Sequence, residues 1–409
     1  MMDSVREFDI IIWGASGFTG KLVVEYMFKE YRVGAELKWA MGGRNEEKLK
    51  KVRAEVASEK VPIVIADSHN EYLLNLMAKR TKVICTTVGP YAKYGSELVA
   101  ACVKNQTHYC DLTGEVQWMR KMIDQHHETA QQNEVKIVHT CGFDSIPSDM
   151  GVYFLQKSLL EQTGQYARKI SMYLAGASGG VSGGTYESLS NVMEEATQSP
   201  KLYKVLNDPY GLNPEGERNG PDKRDLQSVI YDNKVQTWLS PFIMATINTK
   251  VVRRAHALSN YPYGKNFQYE EAMMTGKGIT GRLKAYAIAL PLGLMMKAKP
   301  NSLLKKGIDA LLPKAGEGPS QEKIASGYYN LKFFAGLSNG HSAVGKVTGD
   351  RDPGYGSTSK MLAESAVCLA QDDLPTMNGV LTPSTAMGDA LLERLQKNAG
   401  LTFSLKLTL

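Results

Sequence analysis

Cysteine is scarce in this sequence. Only Cys85, Cys102, Cys110, Cys141 and Cys368 occur in 409 residues. The number is odd, no pair stands at metal-ligand spacing, and three lie in or beside predicted strands, so reduced structural thiols are expected. No His-Glu or Cys-His spacing suits a metal, and there is no internal repeat, low-complexity tract or coiled-coil heptad. The N-terminus lacks a basic region followed by an apolar stretch and a small-residue cleavage site, which predicts a cytoplasmic protein. No apolar run reaches the roughly 20 residues of a bilayer-spanning helix. An excess of one charge sign is also missing. Lys and Arg number 48 against 42 Asp and Glu, and the net charge of +6 is spread along the chain, which excludes a nucleic-acid platform. The mild basicity suits an anionic cofactor or acyl carrier.

What is present begins with "DIIIWGASGFTGKLVVEYM", residues 9 to 27. Ile10, Ile11, Ile12 and Trp13 form a short β-branched run that suits a strand buried on both faces of a parallel sheet. Leu22, Val23, Tyr26 and Met27 recur at helical spacing, so Gly14, Ser16, Gly17, Phe18, Thr19 and Gly20 occupy a strand-to-helix turn. Glycines let the backbone turn tightly and approach a ligand, and the free N–H groups of the helix start attract an anion such as a dinucleotide pyrophosphate. The spacing departs from G-x-G-x-x-G, because Ser16 stands where the second glycine would be; a Gly-rich turn without a ligand is the bland alternative. The next strand, Leu37 to Met41, runs into Gly42-Gly43-Arg44-Asn45. An acid there would hold the ribose 2′-OH of NAD, whereas Arg44 can grip the 2′-phosphate of NADP in bidentate fashion, so NADP is the expected cofactor. Otherwise Arg44 is a solvated charge opening the helix "NEEKLKKVRAEV".

Further strand candidates are Pro62 to Ala66, Val83 to Val88, His108 to Leu112 and Lys136 to Thr140, separated by helices. This alternation predicts an α/β fold, a doubly wound parallel sheet with ligands at the carboxyl ends of its strands. Asp67 closes the third strand, either as a partner for the adenine end of the cofactor or as a helix cap. Thr87, Val88, Gly89 and Pro90 leave the fourth on the expected nicotinamide side, where a plain structural turn also explains Gly89 and Pro90. Tyr91 then adds a phenol that stacks, donates a proton or simply packs. Two polar clusters follow at strand exits, Tyr109 to Glu115 and Cys141 to Asp149. Asp144 and Ser145 in the second could position a substrate or move a proton, or could simply cap a helix.

At 409 residues two or three domains are expected. The pattern changes past Gly151 to longer mixed segments, with a second Gly-rich loop, Gly179 to Thr185, opening a helix able to receive an anion. Asp208 to Asp225 reads as an exposed loop. Residues 285 to 296, "AYAIALPLGLMM", are the most apolar window, too short to span a bilayer and interrupted by Pro291 and Gly293. Basic flanks leave open a membrane-surface or lipid-facing element, against a buried core or oligomer-interface helix.

In order along the chain, "GASGFTG" (14 to 20), "GGR" (42 to 44), "TVGPYAKYG" (87 to 95), "YCDLTGE" (109 to 115), "CGFDSIPSD" (141 to 149), "SGGTYES" (182 to 188) and "GYGSTSKMLAE" (354 to 364) resemble the saccharopine dehydrogenase-like oxidoreductases. The resemblance runs the full length. It is specifically to the branch containing mycobacterial trans-acting enoyl reductases and their animal relatives. It implies an NADP-binding Rossmann domain (1–150), an α+β substrate or dimerisation domain of saccharopine-reductase type (151–345), and C-terminal helices returning to the first domain (346–409). It also implies reduction of the enoyl double bond of a small-molecule or carrier-bound, polyketide-like acyl chain. For that chemistry Tyr91, Ser145 and Thr185 are candidates to hold the thioester oxygen, and Tyr109, Asp111 or Asp144 to move the proton. The alternatives are a C–N oxidoreductase binding an amino acid through Arg253 and Arg254, or a non-catalytic NADPH-binding sensor or scaffold. A homodimer stays open.

Overall fold

A computed structural model describes residues 6 to 408 except 32, 33, 35, 36, 180–190, 193, 194, 196–198, 298–301, 303–317 and 339. The chain divides into two compact units, one of residues 1–146, 316–318 and 354–400, the other of 147–315, 319–353 and 401–409.

The first unit is built on β1 (Phe8–Trp13), β2 (Trp39–Gly43), β3 (Ile63–Ile65), β4 (Thr81–Thr86), β5 (His108–Cys110) and β6 (Lys136–Val138). A late strand, Gly379–Leu381, joins them. It is β13 in a numbering of strands along the chain. Among the described residues the order is β13-β6-β5-β4-β1-β2-β3, every pair parallel. Ile10, Ile11 and Ile12 of the central strand are fully buried, as a strand covered on both faces by crossover helices requires. Strand order reverses between β1 and β4, which opens the crevice where doubly wound sheets take their ligands. The five cysteines are free and buried.

A buried carboxylate holds the late helices, Thr358–Gln371 and Pro383–Lys397, on this unit. Glu364 accepts hydrogen bonds from the hydroxyls of Tyr26 (2.7 Å) and Tyr31, from Asn398 Nδ2 (3.1 Å) and from Arg394 Nη1 (3.3 Å). Arg394 also pairs with Asp372. Lys136 donates to the carbonyls of Pro375 (2.6 Å) and Met377, which secures the approach to β13.

The second unit carries β7 (Lys169–Ser178), β8 (Ile230–Asp232), β9 (Thr237–Ser240), β10 (Gln268–Gly276), β11 (Tyr328–Gly336), β12 (Ser342–Gly349) and β14 (Leu401–Thr408), in the order β14-β12-β11-β7-β10-β9-β8. Among the described strands of this second sheet only β7 and β10 pair in parallel. The helix Ile146–Thr163 presses on one face at a glycine: a Cβ on Gly151 would lie 2.4 Å from Phe333 Cζ.

Two readings of the sequence change here. The segment 346–409 is not helical throughout, because it contains the end of β12 and all of β14. In β14 Leu401 and Phe403 are buried while Thr402 and Ser404 are exposed, the alternation of a strand with one face covered. The stretch Asp208 to Asp225 is no simple solvent loop. Tyr210, Leu212 and Asn213 are buried, and Asp222 accepts from Arg253 Nε at 2.7 Å and from the Tyr269 N–H at 3.1 Å.

Candidate active site

The turn after β1 is shaped by contacts that only hydrogen at Cα permits. Gly14 has φ +87°, and a Cβ there would lie 2.7 Å from Val88 Cγ2 and 2.8 Å from Thr87 Oγ1. A Cβ on Gly20 would lie 2.1 Å from the Gly14 carbonyl oxygen, so the third glycine lets the helix Phe18–Tyr31 start against the turn. The N–H groups of Gly14 and Ala15 both donate to Gly42 O, at 3.0 and 3.1 Å, tying the turn to the end of β2. Gly17 donates to Gly14 O at 2.9 Å. Ser16, Phe18 and Thr19 stand partly exposed at the helix start, where N–H groups lack intrahelical partners. The Phe18 ring packs edge-on against Tyr355, centroids 4.8 Å apart.

Arg44 stands exposed just past β2, and among the described residues it forms no ion pair. The cap of the following helix is Asn45, which accepts from Lys48 N at 3.0 Å, so Arg44 is not needed to open it. At the end of β3, Asp67 accepts from the His69 N–H at 2.9 Å, and the next helix is capped by Asn70. The cap reading of Asp67 is thereby replaced by a local turn.

On the other side of the switch point, Thr87 N–H donates to Trp13 O at 2.9 Å and its hydroxyl to Gly14 O at 3.3 Å, joining the exits of β4 and β1. Val88 N–H donates to Thr86 Oγ1 at 3.2 Å, and the Gly89–Pro90 peptide is cis. These bonds fix the backbone at the switch point, where doubly wound sheets take their ligands.

Tyr91 differs from the substrate donor expected of it. Its buried hydroxyl donates to Thr86 O at 3.3 Å and accepts from Leu112 N–H at 3.1 Å, clamping the exits of β4 and β5. Its ring stacks on Trp118, and the Glu115 carboxylate accepts from the N–H groups of Tyr91 (2.7 Å) and Ala92 (2.9 Å). Burial, with Asp111 nearby, pushes the phenol well above its usual range.

Tyr109 and Asp111 are also committed internally. Asp111 Oδ2 accepts from Tyr109 OH (2.9 Å) and lies 2.8 Å from His139 Nδ1, while Oδ1 accepts from the N–H groups of Thr113 and Thr140. His139, which the sequence reading passed over, is fully buried between Tyr109 and Trp118, and its Nε2 has no partner among the described residues. Only its place at the end of a strand signals it in the sequence. Ser145 is fully buried as well, its N–H donating to Gly142 O at 3.3 Å.

Asp144 remains. It is partly exposed beyond β6, yet desolvation, with Asp111 adding to it, raises its carboxyl to about 7. A carboxyl raised to about 7 can exchange a proton near neutral pH. Thr185 lies outside the described residues. Arg253 and Arg254 are buried on the helix Ala245–Leu258. Arg253 is held by Asp222 and the carbonyls of Pro209 and Tyr269, and Arg254 Nη1 donates to Leu212 O at 2.6 Å.

The geometry of the first unit fits a dinucleotide: a tight glycine turn after β1, a helix start beside it, and an exposed guanidinium just past β2. Residues 10–138 match the family model of the saccharopine dehydrogenase NADP-binding domain. A trans-acting enoyl reductase of Mycobacterium leprae is 36% identical over 410 residues, 97% of both chains. A Mycobacterium tuberculosis relative provisionally given the same name is 38% identical over 412 residues, again 97% of both. Among solved structures, saccharopine dehydrogenase (L-Glu forming) from Saccharomyces cerevisiae matches with a TM-score of 0.54 at 10% identity, covering 98% of this chain and all of that one. Homospermidine synthase from Legionella pneumophila matches with a TM-score of 0.53 at 8% identity, covering 98% of this chain and 92% of that one. At such identities these two share the fold alone. The chain belongs to the saccharopine dehydrogenase-like family, among relatives named trans-acting enoyl reductase, and is an NADP-dependent oxidoreductase.

Proposed function

We propose that this oxidoreductase reduces the carbon–carbon double bond of an enoyl thioester, an acyl or polyketide-type intermediate presented free or on a carrier. The observation that carries the reading is the position of Asp144, partly exposed just beyond β6 on the β4 side of the switch point, where desolvation also raises its carboxyl. The names of the full-length relatives support it. When bound, NADPH supplies the hydride that goes to the β-carbon. Gly14 and Gly20 would keep the turn and the helix start tight, so that the backbone from Ser16 to Thr19, with Gly17, could face its pyrophosphate, while Arg44 would take the 2′-phosphate and Asp67 would border the adenine end. Thr87, Val88, Gly89 and Pro90 border the nicotinamide.

The reduction leaves an enolate on the thioester oxygen and needs a proton at the α-carbon. Asp144 gives that proton and is recharged from solvent. Tyr91 and Asp111 lie near enough to Asp144 to interact with it electrostatically. An amino-acid substrate is disfavoured, because both arginines that would grip its carboxylates are already engaged with Asp222 and backbone carbonyls.

The test follows NADPH oxidation with a panel of enoyl thioesters of increasing chain length, free and carrier-bound. Turnover on at least one, with Asp144→Asn slowing it roughly a hundredfold at unchanged NADPH affinity, is the expected result. Oxidation by an imine or 2-oxo acid instead, or tight NADPH binding with no turnover on any acyl or imine substrate, would replace this reading by one of the two alternatives.

A further inference from the structure

The helix Gly278–Lys297 carries the most apolar window of the sequence, and it leaves part of that window uncovered. Ile279 is 78% exposed, Leu283 65%, Leu290 61% and Leu294 52%, with Tyr286 also exposed. Their spacings of four, three, four and four residues place all five along one face. The opposite face is the one that packs, with Ala285 fully buried and Ser240 donating to its carbonyl. Isolated exposed leucines need no explanation, but a continuous stripe of large apolar side chains does.

Charge identifies what covers it. From Ala272 to Ile308 the chain contains seven Lys or Arg residues and no Asp or Glu. Helical periodicity puts exposed Arg282 and Lys284 on either side of the stripe. The Arg282 guanidinium lies 5.3 Å from the Trp238 ring, so it is held beside the helix. A second copy of the same face would bring like charges together, and an acidic soluble partner would leave the leucines without an apolar medium. An anionic bilayer meets both demands at once: acyl chains for the stripe and head groups for the cations. No described helix is long and apolar enough to cross a membrane, so the contact is with one leaflet's surface.

We infer that the helix Gly278–Lys297 is a docking surface for anionic lipid membranes, lying in the interface plane with Ile279, Leu283, Tyr286, Leu290 and Leu294 inserted. The docking is independent of which substrate the oxidoreductase reduces. Its consequence is that a lipid-linked acyl chain would be met at the surface where such chains reside.

Flotation of the full-length protein with vesicles tests this, comparing phosphatidylcholine mixed with phosphatidylglycerol against phosphatidylcholine alone. The protein should float with the mixed vesicles and be released by raised salt, because the head-group attraction is screened. Leu283→Gln with Leu290→Gln should lower partitioning at least roughly tenfold, and Arg282→Ala with Lys284→Ala roughly thirtyfold on the anionic vesicles alone. These side chains are exposed, and unchanged NADPH binding and thermal midpoint establish that the variants fold. Absence of flotation with any vesicle, or equal flotation with neutral and anionic ones, would overturn the inference. So would a wild-type dimer that the leucine variant converts to monomer, which would give the stripe to a second copy of the chain.

Discussion

At Gly14 the backbone is left-handed and the neighbouring strand exit leaves no space for a methyl group, whereas at Arg44 space is plentiful and charge decides. Arg44→Ala removes a guanidinium that serves no described internal partner, so the fold should be untouched. Losing a charge-assisted contact to the 2′-phosphate should weaken NADPH binding by about 1.5–3 kcal/mol, roughly ten- to a hundredfold, with NADH affinity unchanged; fluorescence titration reads both. Asp144 carries a pH prediction. Its carboxyl titrates near 3.8 in the unfolded chain and at about 7 in the folded one, so the native state binds the proton more tightly. That contribution to stability is complete below about pH 3.8, declines as pH rises and is gone above about 7. Asp144→Asn abolishes the decline and should stabilise the protein by about 2 kcal/mol near pH 8 while changing little near pH 4, as measured by urea unfolding at the two pH values. If Asp144 is the proton donor, parent turnover should also fall as pH rises through about 7.

Elements are fixed in place by a few buried polar groups. Glu364, fully buried on the helix Thr358–Gln371, joins Tyr26 and Tyr31 of the first helix to Arg394 and Asn398 of the last. Glu364→Ala would leave both phenols without this acceptor in a largely buried site, and should destabilise the protein by about 2–4 kcal/mol, lowering the thermal midpoint. Much at this scale was legible beforehand. Six strands of the first sheet, β1 to β6, were readable as short runs between helical segments, whereas β13, Gly379–Leu381, is only three residues long and was not. The period-two alternation of residues 401 to 408 was equally readable but lies among helical segments. The network around Glu364 was not legible, since its partners are separated by up to 338 residues and no local pattern links them. Tyr91 illustrates the same limit: its position predicts a role at the strand exit, but only the distances to Thr86 O and Leu112 N show the hydroxyl to be engaged.

For the whole molecule, ligand binding and stability are linked through the first unit. NADPH at a hundred times its Kd should add about 2.7 kcal/mol to the stability of the state that binds it. Hydrogen exchange should show the added protection at the Gly14 turn, β2 and the exit of β4, and its absence there would move the cofactor elsewhere. The sequence by itself determined the nucleotide-binding half: a buried strand, a glycine turn, a helix and a basic residue after the second strand are local features, and local sterics and charge suffice to read them. It also placed the polar clusters at strand exits and marked the apolar window near the C-terminal third. Tertiary structure decided which members of those clusters keep a free polar atom. It buried Asp111, Ser145 and the two arginines in hydrogen bonds, left Asp144 partly exposed with a raised carboxyl, and turned one face of the apolar helix outward. The reason is physical: burial and hydrogen-bond partnership depend on which segments meet across the fold, and residues distant along the chain share no periodicity from which that meeting could be read.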